Sequence, residues 1–315
     1  MAKKLISNLV FTKNRPLQLH GYLESLRRFM PADAIETYII YKQELFSEEY
    51  QRCFGTFADC TVIREINFHR DFLTLLGALE TPYILFGIDD VVYFDGVGTD
   101  VIEGAFRELG PELFGFTLRL DKSHMPDDFT AGNVEERILY GQPIFAVDWT
   151  RGRSDNTRYP FELCATVYRT TDIRRLLQGR VSPNRLAQRF LLPGSPVMTA
   201  CGRLFRGRKV LKRLGFFFNP NTLESWCCRY VQQHPEQFGH YLAYQKMCAI
   251  AIQVNTVNTS TRNTSDGTSD HTVEALNAKY KQGYRLDVDF VAKDKPKDFS
   301  RGHEFLRLAK GAVVE

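Results

Sequence analysis

The sequence contains no apolar run of the roughly 18 residues that a membrane-spanning helix needs. Its start, residues 1–11, joins lysines to apolar residues but lacks the small-residue cleavage site of a secretory signal. We therefore predict that the chain begins with a strand. The seven cysteines form no CxxC pair and no zinc-like spacing, which favours reduced thiols and a cytoplasmic location.

Net charge is also small. The 315 residues carry only +4, so the composition does not indicate a nucleic-acid-binding protein, and we predict no nucleic-acid partner. Hydrophobic residues at 43% and charged residues at 25% are typical of a folded globular chain. The 24 Phe and 14 Tyr supply material for a large core.

Strand-like apolar runs alternate with helical periodicities through the first third of the chain. The runs are 5–11, 37–41, 61–63 and 83–88. This alternation predicts an α/β fold, with a Rossmann-like, mostly parallel central sheet and helices on both faces. Beyond residue 120 the pattern loosens into short strands and polar loops, which predicts a mixed β and loop half.

Two adjacent carboxylates, Asp89 and Asp90, end the fourth of these runs. Ligands of open α/β sheets bind outside the carboxyl ends of the strands, so the pair indicates a ligand or cation site at that edge. Mg²⁺ and Mn²⁺ favour such oxygen ligands. The alternative is that the pair only caps the following turn, where Asp is common.

Five short motifs, taken in order, resemble nucleotide-sugar-dependent glycosyltransferases of the GT-A fold, and more narrowly bacterial glycosyltransferases of the family 2 type. The motifs are Thr12-Lys-Asn-Arg-Pro16, Ile88-Asp-Asp90, Phe116-Thr-Leu-Arg119, Tyr159-Pro-Phe-Glu-Leu-Cys-Ala-Thr-Val-Tyr-Arg169 and Asn219-Pro-Asn-Thr-Leu-Glu224. The resemblance covers roughly residues 5–290.

The resemblance implies a hexosyltransferase-like enzyme of polysaccharide biosynthesis. It would take a sugar from a nucleotide-diphosphate donor and pass it to a glycan or lipid-linked acceptor. We accordingly expect one domain over residues 1–315. It would divide into a nucleotide-sugar-binding half at 1–120, an acceptor-binding half at 121–292 and a tail at 293–315.

The resemblance also implies roles for the acidic pair. Asp90 is the expected ligand of Mn²⁺ or Mg²⁺, and Asp89 is expected to bind the ribose or a metal-bound water. The family triplet usually begins with an acid, where this chain has Ile88, so the metal would have fewer carboxylate ligands. The predicted nucleotide-sugar-binding residues are Phe11, Thr12, Asn14, Arg15, Arg70 and Asp89.

An inverting transferase needs a base for the acceptor hydroxyl. In the family, a carboxylate at the start of a helix often acts as this base, and the resemblance places Glu224 at such a position. The alternative for Glu224 is a helix-capping role in the first turn. Asp148, between Val147 and Trp149, is the second predicted catalytic residue, and Glu162 is a rival. A retaining enzyme would need no such base, and the sequence leaves the stereochemistry open.

Two other functions compete with sugar transfer. A nucleotidyltransferase that makes nucleotide sugars would carry a glycine-rich loop after the first strand, whereas the next glycine here is Gly21. A non-catalytic nucleotide- or carbohydrate-binding relative would fit the incomplete acidic triplet.

The stretch 203–213 is strongly basic. It indicates either a solvated helix face or a peripheral contact with anionic lipid or a diphosphate-linked acceptor. The second alternative would place the protein at the inner face of the membrane.

Overall fold

A computed structural model describes residues 4–178, 216–257, 268–297 and 302–311. The strands are β1 (Ile6–Lys13), β2 (Ile35–Lys42), β3 (Thr61–Arg64), β4 (Tyr83–Ile88), β5 (Val91–Tyr93), β6 (Leu113–Thr117), β7 (Val134–Leu139), β8 (Gln142–Asp148), β9 (Thr166–Arg169), β10 (His240–Tyr244), β11 (Ala249–Ala251), β12 (Tyr284–Leu286) and β13 (Leu308–Lys310). The helices are α1 (Pro16–Phe29), α2 (Ser47–Thr56), α3 (Phe68–Ala78), α4 (Thr99–Glu108), α5 (Pro126–Thr130), α6 (Thr170–Gln178), α7 (Pro220–Gln233), α8 (Val273–Lys281) and α9 (Val288–Asp294).

One large sheet organises the described residues. Its nine strands lie in the order β3-β2-β1-β4-β9-β6-β10-β8-β7. All of them except β8 and β9 run in the same direction. Two small antiparallel pairs, β5 with β11 and β12 with β13, lie beside it. The predicted α/β class with a mostly parallel sheet is therefore confirmed.

The central strand β1 is buried on both faces because its side chains alternate between two cores. Ile6 and Val10 belong to the cluster that includes residues of α1, α2 and α4. Leu9 and Phe11 belong to the cluster that includes residues of α3, α6 and α7. Helices therefore cover both faces, as the alternation of the sequence predicts.

The half beyond residue 120 extends this sheet. Its strand β9 lies between β4 and β6, and its strands β10, β8 and β7 continue the order past β6. Loops and the short helix α5 connect these strands. The strand expected at 161–168 is shorter than predicted, because β9 begins only at Thr166. The basic stretch 203–213 lies outside the described residues. Of the helices that are described, none is both long and apolar enough to cross a membrane.

The packing of α1 on β4 depends on a glycine. Tyr22 of α1 is fully buried and donates a hydrogen bond to Asn8 Oδ1 over 2.6 Å. Its ring lies directly over Gly87 of β4, and a Cβ at Gly87 would come within 2.0 Å of the Tyr22 hydroxyl oxygen. Only glycine accommodates this approach of helix and strand.

We expect Gly87→Ala to lower the free energy of unfolding by about 1–3 kcal/mol, because the buried Tyr22 ring must shift. Urea unfolding measures the change. The control is Gly77→Ala on the exposed face of α3, where nothing lies within 4 Å of the added methyl group. That control should leave stability unchanged or raise it by up to about 1 kcal/mol. Equal stability of the two variants would contradict the close contact.

Candidate active site at the carboxyl edge of the sheet

The acidic pair lies in the turn between β4 and β5 and surrounds a buried arginine. Nη1 of Arg15 donates to Asp89 Oδ1 over 2.9 Å and to Asp90 Oδ2 over 3.1 Å. Arg15 is 6% exposed, Asp89 4% and Asp90 7%. The sequence predicts Arg15 as a nucleotide-sugar-binding residue, and the structure places it in a buried ion-pair network.

Residues far away in the sequence fix this arginine. Nε of Arg15 donates to Asn255 Oδ1 over 2.8 Å, and Nη2 donates to the Asn255 carbonyl oxygen. The Asn255 amide in turn donates to the carbonyl of His271 over 2.8 Å. The backbone N–H of Arg15 donates to the hydroxyl of Tyr50 over 3.0 Å. Asn255 is thus part of the site.

The charges of the site interact strongly. Burial raises the pKa of Asp90; the Arg15 guanidinium lowers it, and the neighbouring Asp89 raises it further. Burial also works against the charge on Arg15, but the two carboxylates outweigh it and raise the pKa of Arg15. One cation therefore balances two carboxylates, which leaves the cluster with one negative charge when both are ionised.

One oxygen of the cluster remains unsatisfied. Oδ1 of Asp90 is buried and has no hydrogen-bond partner among the described residues. A buried carboxylate oxygen of this kind fits a divalent cation that takes a single protein carboxylate and otherwise binds phosphate oxygens and water. Within the described ranges, no group of three or more His, Cys, Asp or Glu side chains could hold a metal without such help.

Three predicted nucleotide-sugar-binding residues have structural contacts at this edge. Thr12 bonds through Oγ1 to the Tyr50 hydroxyl over 2.8 Å. Asn14 has the left-handed φ of 52°, which Asn tolerates, and its Oδ1 accepts from the backbone N–H groups of Glu44 and Leu45. The ring of Phe11 packs in the core, where its aromatic neighbours are Phe68, Phe72 and Phe86.

Arg70 lies apart from the Arg15 network. It stands in the first turn of α3, and its half-exposed guanidinium pairs with Asp71 over 2.7 Å. Asp71 also accepts from the backbone N–H groups of Ile66 and Asn67, and Asn67, the N-cap of the helix, accepts from the backbone N–H of Arg70. The guanidinium of Arg70 is at the surface of the same edge, after β3.

A second cluster surrounds Glu224. This residue lies in the second turn of α7, whose N-cap is Asn219. Burial raises the pKa of Glu224 to about 7. The Arg119 guanidinium, the backbone of Leu163 and the hydroxyl of Tyr159 lie close enough to its carboxylate to lower that pKa in part. Glu224 therefore faces the sheet edge and does not cap its helix.

Arg119 and Glu162 form an ion pair beside Glu224. The guanidinium of Arg119 contacts Glu162 Oε2, and both side chains are largely buried. Glu162 Oε1 accepts from the hydroxyls of Thr117 and Thr166. Because its oxygens are so well occupied, Glu162 is a poorer candidate for a free base than Glu224.

The two clusters lie at the same edge because β9 reverses direction. It runs against β4 and β6, with Thr166 opposite Phe86 and Thr117. The segment before β9 therefore lies at the carboxyl ends of β4 and β6. The Cys164 thiol in this segment has its pKa raised to about 12 by burial, and the charges of Arg119, Glu224 and Asp90 all act on it. Cys164 thus lies within electrostatic range of both clusters.

Asp148 is not brought to this edge. In the register of β8 against β10, Asp148 lies opposite His240, at the beginning of β10 and so at the amino edge of the sheet. Its Oδ1 accepts from the backbone N–H and the hydroxyl of Thr150, so Asp148 is the N-cap of a short 3₁₀ turn. Its neighbour Trp149 is buried and donates to the carbonyl of Phe238. The structure therefore favours Glu224 over Asp148.

Sequence reasoning gave no role to Arg119, Tyr159, Tyr50 or Asn255. Arg119 and Tyr159 stand inside two of the motifs that carry the resemblance, so a signal was present. Nothing marked Tyr50 or Asn255, because each meets Arg15 only through the tertiary fold.

Comparisons with known proteins agree with the predicted resemblance. The chain is 24% identical over 192 residues to the bifunctional glycosyltransferase pgtA of Dictyostelium discoideum, a match that covers 55% of this chain and 25% of that protein. The chain thus spans about a quarter of that relative's length. This relative confirms the similarity to glycosyltransferases. No family model matches the chain.

Solved structures overlap with the fold only partly. The structure of TarS 1–349 from S. aureus in complex with UDP is 14% identical and covers 56% of this chain and 48% of that chain, with a TM-score of 0.38. The mannosyltransferase PcManGT from Pyrobaculum calidifontis, in complex with GDP-Man and Mn²⁺, is 10% identical. It covers 73% of this chain and 70% of that chain, with a TM-score of 0.36.

We expect Arg15→Met to lower the free energy of unfolding by about 3–5 kcal/mol, since it leaves two buried carboxylates without their cation. The double variant Arg15→Met/Asp89→Asn should recover part of that loss. Chemical denaturation followed by circular dichroism measures both. Arg175→Met is the control: this arginine is exposed and its partner Asp172 keeps a second cation, Arg169, so stability should change by less than about 1 kcal/mol. A loss no larger than the control's would contradict the role of Arg15.

Proposed function

We propose that this chain is a glycosyltransferase that moves a sugar from a nucleotide-diphosphate donor to a hydroxyl group of a glycan or lipid-linked acceptor. The observation that carries the proposal is the meeting of two carboxylate clusters at one edge of the sheet. One holds Asp90 with an unsatisfied oxygen, and the other holds Glu224 with a pKa near neutrality. The similarity to a curated glycosyltransferase supports the same class of reaction.

In this proposal the Arg15 cluster binds the donor. Arg15 fixes the orientation of both carboxylates, and Asp89 Oδ2 also accepts from the backbone N–H of Lys13 over 3.3 Å. Asp90 would hold Mn²⁺ or Mg²⁺ through its unsatisfied oxygen, and such an ion, when bound, stabilises negative charge on the departing diphosphate. Asp89 lies beside the end of β1 and is suited to accept hydrogen bonds from the ribose hydroxyls.

Glu224 is the proposed general base. Its carboxylate would take the proton of the acceptor hydroxyl while that oxygen bonds to the anomeric carbon and the bond from that carbon to the diphosphate oxygen breaks. A base works best when its pKa lies near the operating pH. Burial gives Glu224 this property, whereas an exposed carboxylate would be a much weaker base. This assignment applies to an inverting reaction.

We expect Asp90→Asn to reduce turnover at least about a hundredfold while the melting temperature stays close to the wild-type value, because the isosteric amide keeps the packing but removes the charge. Release of nucleoside diphosphate from UDP- and GDP-sugars measures turnover. Thermal shift with UDP or GDP, with and without Mn²⁺, measures donor binding.

The control for this variant is Asp148→Asn, at the opposite edge of the sheet, which should keep turnover within about threefold of the wild type. Full activity of Asp90→Asn would show that the donor site is misplaced. If no nucleotide stabilises the wild-type protein, the proposal of an enzyme acting on nucleotide sugars is wrong.

We expect kcat/KM to rise with pH through about 7, because Glu224 must lose its proton before it can act as a base. The hydroxyl of Tyr159 lowers the pKa of Glu224. Tyr159→Phe should therefore raise the pH at which kcat/KM reaches half of its maximum. Glu224→Gln should abolish turnover at every pH. Rates measured between pH 5 and 9 test both variants. If this pH is lower in Tyr159→Phe than in the wild type, the assignment of Glu224 as the base is contradicted.

A further inference from the structure

Arg15 changes what the acidic pair can hold. Its Nη1 lies 2.9 Å from Asp89 Oδ1 and 3.1 Å from Asp90 Oδ2, and all three side chains are less than a tenth exposed. Because solvent screens charges little in such a place, the guanidinium strongly cancels one of the two negative charges. A free divalent ion would therefore meet a cluster with a single net negative charge and with a cation already in contact with both carboxylates.

The oxygens of Asp90 are also closed to a free ion. Its Oδ2 accepts from Arg15, and its Oδ1 is buried and has no hydrogen-bond partner within the ranges that the structure describes. An ion from solvent reaches this carboxylate only after neighbouring side chains move. Mg²⁺ also gives up its bound water reluctantly. One closed carboxylate therefore binds a free ion weakly, and the ion needs further oxygen ligands.

The guanidinium of Arg15 is held in place from its other side. Nε donates to Asn255 Oδ1 over 2.8 Å, and Nη2 donates to the Asn255 carbonyl oxygen. The amide of Asn255 donates in turn to the carbonyl of His271. An arginine presents its donors in one rigid fork, so these contacts and those with the acidic pair support each other. Arg15 is therefore a fixed counter-ion of the pair.

We propose that Arg15 is a built-in cation that keeps a free divalent ion out of the acidic pair until the diphosphate of the donor arrives. This inference rests on the proposed glycosyltransferase function and adds an order of binding to it, since the ion and the nucleotide would enter the site together. The diphosphate supplies negative charge that offsets the guanidinium, and its oxygens complete the coordination of the ion. The ion must then strengthen binding of the nucleotide by the same factor.

The first test measures binding of Mn²⁺ alone, without nucleotide. Electron paramagnetic resonance of free Mn²⁺ gives the dissociation constant and needs no turnover. Arg15→Met removes a cation next to the ion and doubles the net negative charge of the cluster, so we expect it to bind Mn²⁺ at least about thirtyfold more tightly than the wild type. The same concentration of Mn²⁺ should raise the melting temperature of Arg15→Met and leave that of the wild type unchanged.

Two controls separate a local effect from a general one. Lys13 stands close to Arg15 in the sequence, but its Nζ pairs with Glu44 over 3.0 Å. Lys13→Met removes a positive charge from the same turn and should change the dissociation constant of Mn²⁺ by less than about threefold. Adding Asp90→Asn to Arg15→Met should abolish the gain in affinity, which assigns the bound ion to Asp90.

Two milder variants cover the case in which Arg15→Met does not fold. Arg15→Gln is neutral, but its amide can still donate to a carboxylate, so it should be less destabilised and still bind Mn²⁺ more tightly than the wild type. Arg15→Lys keeps the positive charge and should gain less affinity than Arg15→Gln. The proposal is overturned if no neutral variant binds Mn²⁺ more tightly than the wild type, or if Arg15→Lys gains as much as Arg15→Gln.

The second test repeats the titration with UDP and GDP, corrected for Mn²⁺ that the nucleotide binds in the absence of protein. A nucleotide that binds should strengthen Mn²⁺ binding by the wild type at least about tenfold, and by a smaller factor in Arg15→Gln. If it leaves the Mn²⁺ affinity of the wild type unchanged, the order of binding is wrong and the transferase proposal stands. If the neutral variants gain Mn²⁺ at Asp90 while no nucleotide binds the wild type, exclusion of the free ion by Arg15 stands and the transferase proposal fails.

Discussion

The buried contact of Arg15 with Asp89 and Asp90 is the constraint on which the proposed donor site depends. Two adjacent carboxylates cannot stay ionised inside a protein without a compensating cation, and the 6% exposure of Arg15 shows that this cation is built into the fold. Asn255 and Tyr50 hold Arg15 from two other parts of the chain. Any movement of these supports would therefore change the charge balance around Asp90.

The reversal of one strand explains how a second functional group reaches the same edge. In a wholly parallel sheet, the segment before β9 would lie at the amino edge, far from Asp90. Because β9 runs against β4 and β6, this segment brings Glu162 to the carboxyl edge, and α7 then presents Glu224 to the backbone of Leu163. Sheet direction, and not only residue type, thus separates Glu224 from Asp148, which lies at the other edge.

A cavity of about 130 Å³ next to the Glu224 cluster depends on the same arrangement. Its walls combine residues of β6, β9 and β10 with the loop that carries Tyr159. This loop is anchored by the fully buried Asp128, which accepts from the backbone N–H of Arg153 and the hydroxyl of Thr157. The loop that lines the cavity is therefore held in place beside the strands.

The sequence by itself determined the α/β class, the alternating elements of the first half and the acidic pair Asp89 and Asp90 after β4. These features follow from local periodicity and turn chemistry. It also named Arg15 and Glu224. Only the tertiary structure decided what these residues contact. Asn255 is 240 positions from Arg15, and Tyr241 meets Arg119 and Tyr159 around one cavity without any local pattern. Contacts of this kind depend on strand order and direction, which no short stretch of sequence specifies.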